Sequence, residues 1–232
     1  MLKKLVFFTG AGMSEESGIS TFRDAGGLWE GHDIYEVASL DGWKRNPELV
    51  LNFYNKRRNQ LLACNPNSAH HDIVNLMAQY SVSVITQNVD DLHERAGSNK
   101  TIHLHGELLK ARAEHNASLI YDWHTDLQIG TRNENGDQLR PHIVWFGESV
   151  LKMDEAIRLT LDADLFVVVG TSLQVYPAAG VLDYLRPEIP IYYIDPNPTI
   201  TYSFSRFNKL KIIKNKATLG MKELINELNK NV

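Results

Sequence analysis

The sequence predicts an α/β fold, a doubly wound parallel sheet carrying a small inserted domain. Three observations predict it. Short, nearly continuous apolar runs recur, and each ends in turn residues. Stretches of helical periodicity lie between them. Two long segments match neither pattern and form the insertion.

The first run, LVFFTG (residues 5–10), leads straight into a glycine turn. Its charged start and apolar stretch have the superficial look of a signal peptide, but the run is only a handful of residues, so it is read as the first strand. VSVITQN (82–88), DLFVVVGTS (164–172) and IPIYYIDPN (189–197) follow the same pattern. Continuous rather than alternating apolarity is how strands covered on both faces of a parallel sheet read. PELVLNFYNKRRNQLL (47–62) has apolar residues at helical spacing, with Pro47 suited to a helix start. NSAHHDIVNLMAQY (67–80) opens on the cap residues Asn67 and Ser68, and GMKELINELNK (220–230) closes the chain amphipathically.

Residues 31–77 are mostly helical in pattern. Residues 114–140 are polar and rich in turn residues, with a hairpin signal at Asn135-Gly136. The expected division places 1–30, 79–105 and 148–232 in the sheet domain and 31–78 and 106–147 in the small one.

The bulk numbers exclude several classes. The chain has 232 residues, 43% of them hydrophobic, enough for a sizeable core. Its net charge is −4 with no basic block, so no nucleic-acid surface is expected. No apolar run is long enough to span a bilayer. Cys64 is the single cysteine, which excludes a disulfide framework and points to the cytoplasm.

Directly after the first run come Gly10 and Gly12. Strand, Gly-x-Gly, helix is the phosphate-binding start of a Rossmann-like unit, where glycines admit the diphosphate and a helix N-terminus faces it. The next glycine is Gly18, an irregular spacing, and the region expected to hold a ribose-binding acid has Gly26, Gly27 and Trp29 instead. Taken alone, this turn is weak evidence and reads more readily as a tight turn than as a nucleotide site.

Five segments in order resemble the sirtuins, the NAD-dependent protein lysine deacylases. GAGMSEESGISTFRDAGGLW (10–29) resembles their NAD signature, TQNVDDLHERAG (86–97) their TQN-x-D motif and HLHGEL (103–108) their catalytic HG motif. VWFGE (144–148) resembles their substrate loop and GTSLQVYPAAG (170–180) their second nucleotide loop. The resemblance covers nearly the whole chain and implies NAD as cofactor. It implies a reaction in which the acyl-lysine carbonyl oxygen attacks C1′ of the nicotinamide ribose and nicotinamide leaves.

On this resemblance Gly10, Ala11, Gly12, Phe22 and Arg23 line the diphosphate and nicotinamide side. Gln87, Asn88 and Asp90 hold nicotinamide and its ribose, with Asn88 and Asp90 counted among the catalytic residues. His105 is the general base on a ribose hydroxyl, a role suited to a side chain that titrates near neutral pH. Gly170, Thr171 and Ser172 meet the adenosine side, Asp195 and Asn197 the adenine ribose, and Ala217 the adenine. Val144, Trp145 and Phe146 form an edge that a substrate peptide joins as a strand. Plainer readings stand beside these: an Asx turn for 87–90, a local ion pair with Asp24 for Arg23, and a buried strand for 144–146. His103 could share a strand face with His105.

Most sirtuins hold a structural zinc on four cysteines between the HG and FGE motifs. Residues 106–147 contain none. Glu114, His115, Asp122, His124 and Asp126 lack ligand spacing, so no metal is expected. Apolar packing by Leu119, Ile120, Tyr121, Trp123, Leu127 and Ile129 is expected to hold this region. Tyr54 and Arg57, three apart, project from one helix face, and with Ala38 they resemble the bacterial and mitochondrial class that removes succinyl groups. The plainer reading makes Arg57 part of a basic face with Lys56 and Arg58.

The expected function is therefore NAD-dependent protein lysine deacylation, with deacetylation and desuccinylation both in scope, by a monomer acting on acylated lysine side chains. ADP-ribosyl transfer or NAD hydrolysis at the same site is the alternative, and a non-catalytic NAD or ADP-ribose sensor is a third reading.

Overall fold

The computed structural model describes residues 2–20, 28–29, 31–200 and 202–230. Along the chain run β1 (Lys4–Thr9), β2 (Leu28–Trp29), β3 (His32–Asp33), α1 (Ile34–Val37), α2 (Leu40–Arg45), α3 (Pro47–Ala63) and α4 (Ser68–Asn75). Next come β4 (Ser81–Thr86), α5 (Leu92–Ala96), β5 (Thr101–His103), β6 (Gly106–Ala113), β7 (Ile120–Asp122), β8 (Leu139–Ile143) and α6 (Met153–Leu161). β9 (Leu165–Val169), β10 (Ile191–Ile194), β11 (Leu210–Ile213) and α7 (Ala217–Lys230) complete it.

The main sheet is six-stranded and parallel, in the order β11-β10-β9-β1-β4-β5. The chain winds outward from β1 through β4 to β5, then restarts at β9 and winds the other way. This is the doubly wound arrangement, with its switch point between β1 and β9. All four apolar runs became strands. Alternate residues of β1 face opposite layers: Leu5 and Phe7 pack with Ile73 of α4 and Met221 and Leu224 of α7, while Val6 and Phe8 pack with Ala156 of α6 and Leu182. The register puts Thr9 level with Thr86 and Val169, and Val169 level with Ile194, so four neighbouring strands end at one height.

Helix starts follow local chemistry. Asn46 caps α3, accepting from Leu49 N at 3.1 Å, with Pro47 in the first turn. Asn67 caps α4, accepting from Ala69 N at 2.9 Å. One expectation fails: among the described residues no α-helix directly follows the first glycine turn. Two three-residue 3-10 turns, Ala11–Met13 and Glu15–Ser17, stand there instead.

A three-stranded antiparallel sheet, β7-β6-β8, packs with α1 to α3 around a separate apolar cluster that includes Val37, Trp43, Tyr54, Leu108, Leu127 and Trp145. Asn135-Gly136 does form a turn: Gly136 N donates to Asn133 O at 3.0 Å, with Gly136 at φ +84. Apolar packing is only part of what holds this region. Ile120 is 44% exposed because β7 alternates and only Tyr121 turns inward, and Ile129, in the loop beyond β7, is 54% exposed. The lock is polar. Asn55 Oδ1 accepts from Leu127 N at 2.9 Å, and Asn55 Nδ2 donates to Leu127 O at 3.0 Å. Trp43 Nε1 donates to Glu114 Oε1 at 2.8 Å. Among the described residues no helix is long and apolar enough to cross a membrane.

Candidate active site

Because four strands end level, the segments after them form one rim. A cavity of about 760 Å³ opens over it, within the usual range for small-molecule sites, about 300–1,000 Å³. It extends from this rim to α3 and the segment after β8.

The two glycine loops interlock at the switch point. Gly10 N donates to Val169 O at 3.0 Å and Gly12 N to Gly170 O at 2.8 Å. A Cβ on Gly12 would lie 2.7 Å from Gly170 Cα, and one on Gly170, at φ +63, only 2.4 Å from Met13 N. The glycines are therefore required first by loop-on-loop contact, before any ligand. With 3-10 turns following them, the expected helix dipole toward the diphosphate is not supplied here. Glu15 and Glu16 instead reach across to the start of α7: Glu15 pairs with Lys216 at 2.8 Å, and Glu16 accepts from Thr218 N at 2.9 Å.

Beside these loops sits a buried polar cluster. Asn88 Nδ2 donates to Ser14 Oγ at 3.1 Å, and Ser14 Oγ donates to Asp90 Oδ2 at 2.9 Å. Asp90 Oδ1 accepts from Leu92 N at 3.2 Å, so the Asx turn is present as well. Burial pushes the Asp90 carboxyl up, opposed by its bonds from Ser14 and Leu92. Thr171 Oγ1 donates to Gln87 Oε1 at 2.7 Å, joining the TQN segment to the second glycine loop.

His105 lines the cavity, its Nδ1 lying 3.0 Å from Gln87 O. A carbonyl only accepts, so Nδ1 carries the proton and Nε2 keeps a lone pair. Burial lowers the pKa of this imidazole, with the Gln87 bond opposing, so near pH 7 the ring is neutral and able to take a proton. His103 does not share its exposure. It is 4% exposed, and its two ring nitrogens face Asn88 O at 3.0 Å and Glu94 Oε1 at 2.9 Å. Neither neighbour can donate, so both nitrogens do, and His103 has no lone pair for base catalysis.

Ala38, Tyr54 and Arg57 line the far end of the same cavity. Arg57 is 6% exposed and its neighbour Arg58 is fully buried, donating to Leu108 O and Asn55 Oδ1. The solvated basic face is thereby excluded. Trp145 Nε1 donates to Tyr54 Oη at 3.0 Å, and burial raises the phenol pKa.

Val144, Trp145 and Phe146 also line the cavity. Val144 N donates to His105 O and Phe146 N to Ala38 O, both at 2.9 Å, and Phe146 O accepts from Leu40 N at 3.4 Å. Trp145 N donates to Glu148 Oε2 at 2.9 Å. All three N–H groups are thus committed within the chain. The expectation missed this because Ala38 and Leu40, the partners of Phe146, lie far away in sequence. Glu148 is held by Arg112 at 2.6 Å and Arg140 at 2.8 Å, and the Arg140 guanidinium lies 3.3 Å over the Trp145 ring.

The cavity thus gathers Ala11, Gly12, Gln87, Asn88, Asp90, His105, Gly170, Thr171, Ser172, Asp195 and Asn197 with the far-end residues. Gly10 and Ala217 do not line it: Gly10 packs against Thr171, and Ala217, the first residue of α7, faces the core while Lys216 takes the wall. Phe22 and Arg23 lie outside the described residues. Ser14 and Glu148 were missed. Ser14 is the polar residue directly after the buried Met13, a faint signal. Glu148 has none without Arg112 and Arg140 in space.

The profile of the Sir2 family matches residues 10–177, and the chain belongs to that family. It is 57% identical over 195 residues to a Helicobacter pylori protein named NAD-dependent protein deacylase, covering 84% of this chain and 85% of that one. A mutant Sir2 homologue in complex with ADP-ribose has the same fold, with a TM-score of 0.87 at 35% identity over 99% of this chain and 93% of the other. A Sir2 mutant with a deacetylated p53 peptide and 3′-O-acetyl-ADP-ribose matches with a TM-score of 0.82 at 28% identity, covering 97% and 94%.

Proposed function

We propose that this protein is an NAD-dependent protein lysine deacylase that releases nicotinamide and an O-acyl-ADP-ribose. The observation that carries this is His105, whose Nδ1–H is committed to Gln87 O on the wall of a cavity shared with Asn88, Asp90 and both glycine loops. NAD supplies a C1′ carbon bearing a good leaving group. The switch-point position and the close backbone of both glycine loops fit a dinucleotide. Gly12 with Gly170, Thr171 and Ser172 would hold the phosphates and adenosine, Asp195 and Asn197 the adenine ribose, and Gln87, Asn88 and Asp90 the nicotinamide ribose. His105 Nε2 takes the proton from the ribose hydroxyl, and Asn88, fixed by Ser14, orients the reacting end.

The acyl end reads as selective for acidic groups. A nearly buried guanidinium in a cavity wall suits a carboxylate bidentately, Tyr54 adds a hydroxyl, and Ala38 leaves room. β1 and the rim loops with 79–105 and 148–232 act as the nucleotide domain, joined against expectation by α4 (Ser68–Asn75), whose Ala69 and Ile73 pack with Leu5 and Phe7; the rest of 31–78 with 106–147 acts as the small domain that presents the acyl pocket. A separate apolar cluster under the smaller sheet supports that division. We also assign the protein to the cytoplasm, as a zinc-free monomer. The lone cysteine supports the location, and the Asn55–Leu127 lock supports a fold without zinc.

Mass spectrometry of reactions with NAD and acetyl-, succinyl- or unmodified lysine peptides tests the reading. Free lysine peptide with equimolar nicotinamide and O-acyl-ADP-ribose is expected. An ADP-ribosylated peptide, or ADP-ribose formed equally without peptide, would sink it.

A further inference from the structure

Two histidines, two residues apart, grip two consecutive carbonyls. His105 Nδ1 is 3.0 Å from Gln87 O, and His103 Nδ1 is 3.0 Å from Asn88 O. The second grip is charged. His103 Nε2 lies 2.9 Å from Glu94 Oε1 on α5, and both its neighbours are pure acceptors. β5 ends at His103, level with Thr86, so the ring sits directly behind the segment that follows β4. Asn88 is otherwise held by its N–H to Thr86 Oγ1 at 3.0 Å and its amide to Ser14.

We propose that His103, as an imidazolium backed by Glu94, is a positioning residue that locks the Gln87–Asn88 segment in the conformation that receives the nicotinamide ribose. It touches no reacting atom. It acts through Asn88 O, and loss of its second proton frees that carbonyl or leaves an acceptor facing it. The groups around the ring agree with the charged form. Burial, the largest single influence, opposes the charge, but Glu94 together with Asn88 O and Glu107 on β6 holds the pKa above the ordinary histidine value. Asp90, after β4, adds to this, while the neutral His93 on α5 opposes a neighbouring charge only when protonated. Activity should then need His105 neutral and His103 charged. His105 is pushed down and His103 up, so a window opens between them, with an alkaline limb belonging to His103.

The inference rests on the reading that Gln87 and Asn88 hold the nicotinamide end. The test is steady-state kinetics from pH 5.5 to 9.5, with melting temperatures, on the wild type, His103→Ala, His103→Asn, Glu94→Gln and His105→Tyr. Loss of a charge-assisted hydrogen bond predicts that His103→Ala lowers kcat/KM for NAD about 10- to 100-fold, with KM for the peptide nearly unchanged. His103→Asn keeps an N–H donor near the Nδ1 position and should recover most of that loss, now without the alkaline limb. Glu94→Gln leaves burial to dominate, so it should move the alkaline limb to lower pH and lower activity at pH 6.5. Folded His103→Ala within twofold of wild type, or an alkaline limb unmoved in both His103→Asn and Glu94→Gln, overturns the inference. If His103→Ala does not fold, the other two variants decide by the limb alone. If instead His105→Tyr retains turnover, the underlying site reading has failed rather than the role of His103.

Discussion

The indole N–H of Trp145 donates to the phenol oxygen of Tyr54 at 3.0 Å, with both rings buried. The bond joins the segment after β8 to the helix that carries Arg57. Trp145 is in turn fixed by its backbone N–H on Glu148 and by Arg140 over its ring. The segment after β8 and the α3 end of the cavity are therefore one packed unit. Tyr54→Phe removes the acceptor and leaves a buried indole N–H unsatisfied, a cost of about 1–3 kcal/mol. Urea unfolding should show that loss, together with a lower succinyl-to-acetyl turnover ratio. An unchanged midpoint would mean that the indole finds another partner.

Arg57 should decide the acyl group more strongly than Tyr54 does. Leaving a buried carboxylate unpaired costs roughly 2–5 kcal/mol, on the order of 30- to several-thousand-fold. Arg57→Met should lower kcat/KM for a succinyl-lysine peptide within that range while acetyl-lysine turnover holds or improves. Solvent in the cavity moves the loss toward the lower end. The ratio of the two substrates is the readout, since misfolding lowers both together. A ratio that stays at the wild-type value removes Arg57 from the acyl pocket.

The parts legible in sequence were those whose cause is local. β1, β4, β9 and β10 are continuous apolar runs because both sheet faces are covered. β5 and β11 were not legible, being three- and four-residue strands at the sheet edges with mixed patterns. Gly10, Gly12 and Gly170 could be read as a site, but not for their reason, which is a contact between segments far apart in the chain. The same distance hid the pairing of Phe146 with Ala38, the arginines around Glu148, and the bond from Ser14 to Asp90. The charge on His103 depends on Glu94, brought to it by α5 and β5 together. Motifs carried most of the site; its hydrogen-bond states needed the fold.

If His105 is the base, as proposed, it should set the acid side of the pH profile. Its folded pKa lies below the ordinary 6.5, because burial disfavours the imidazolium. The base is neutral above that lowered value and is lost as pH falls through it. kcat/KM should therefore stay high through pH 6.5 and fall only at lower pH. His70, pushed down to about 3 by burial, and His93 are also buried neutral. They bind protons more readily unfolded, so stability too declines as pH drops below 6.5. Melting temperature at each pH separates the two effects. An acid limb centred at or above 6.5 while the protein remains folded contradicts the assignment.

Asn55 should matter more to the cysteine-free sheet than any metal does. Its carboxamide oxygen accepts from Leu127 N and from Arg58 Nη1 at 2.7 Å, and its amide donates to Leu127 O. Leu127 and Arg58 are both fully buried, so water cannot replace these bonds in the folded state. Asn55→Ala strands a backbone N–H, a backbone carbonyl and one guanidinium N–H. Even one such group costs about 1–3 kcal/mol, so a loss of at least about 2 kcal/mol is expected in urea unfolding. Because Tyr54 and Arg57 share the helix with Asn55, succinyl turnover should fall with it. Chelator, by contrast, should leave both the melting temperature and the activity of the wild type unchanged, and elemental analysis should find well under one zinc per chain. Among the described residues no group of three or more histidines, cysteines or carboxylates is arranged to hold a metal ion. A stoichiometric zinc whose removal lowers the melting temperature, alongside an Asn55→Ala variant as stable as wild type, would reverse the assignment and make the metal the fastening.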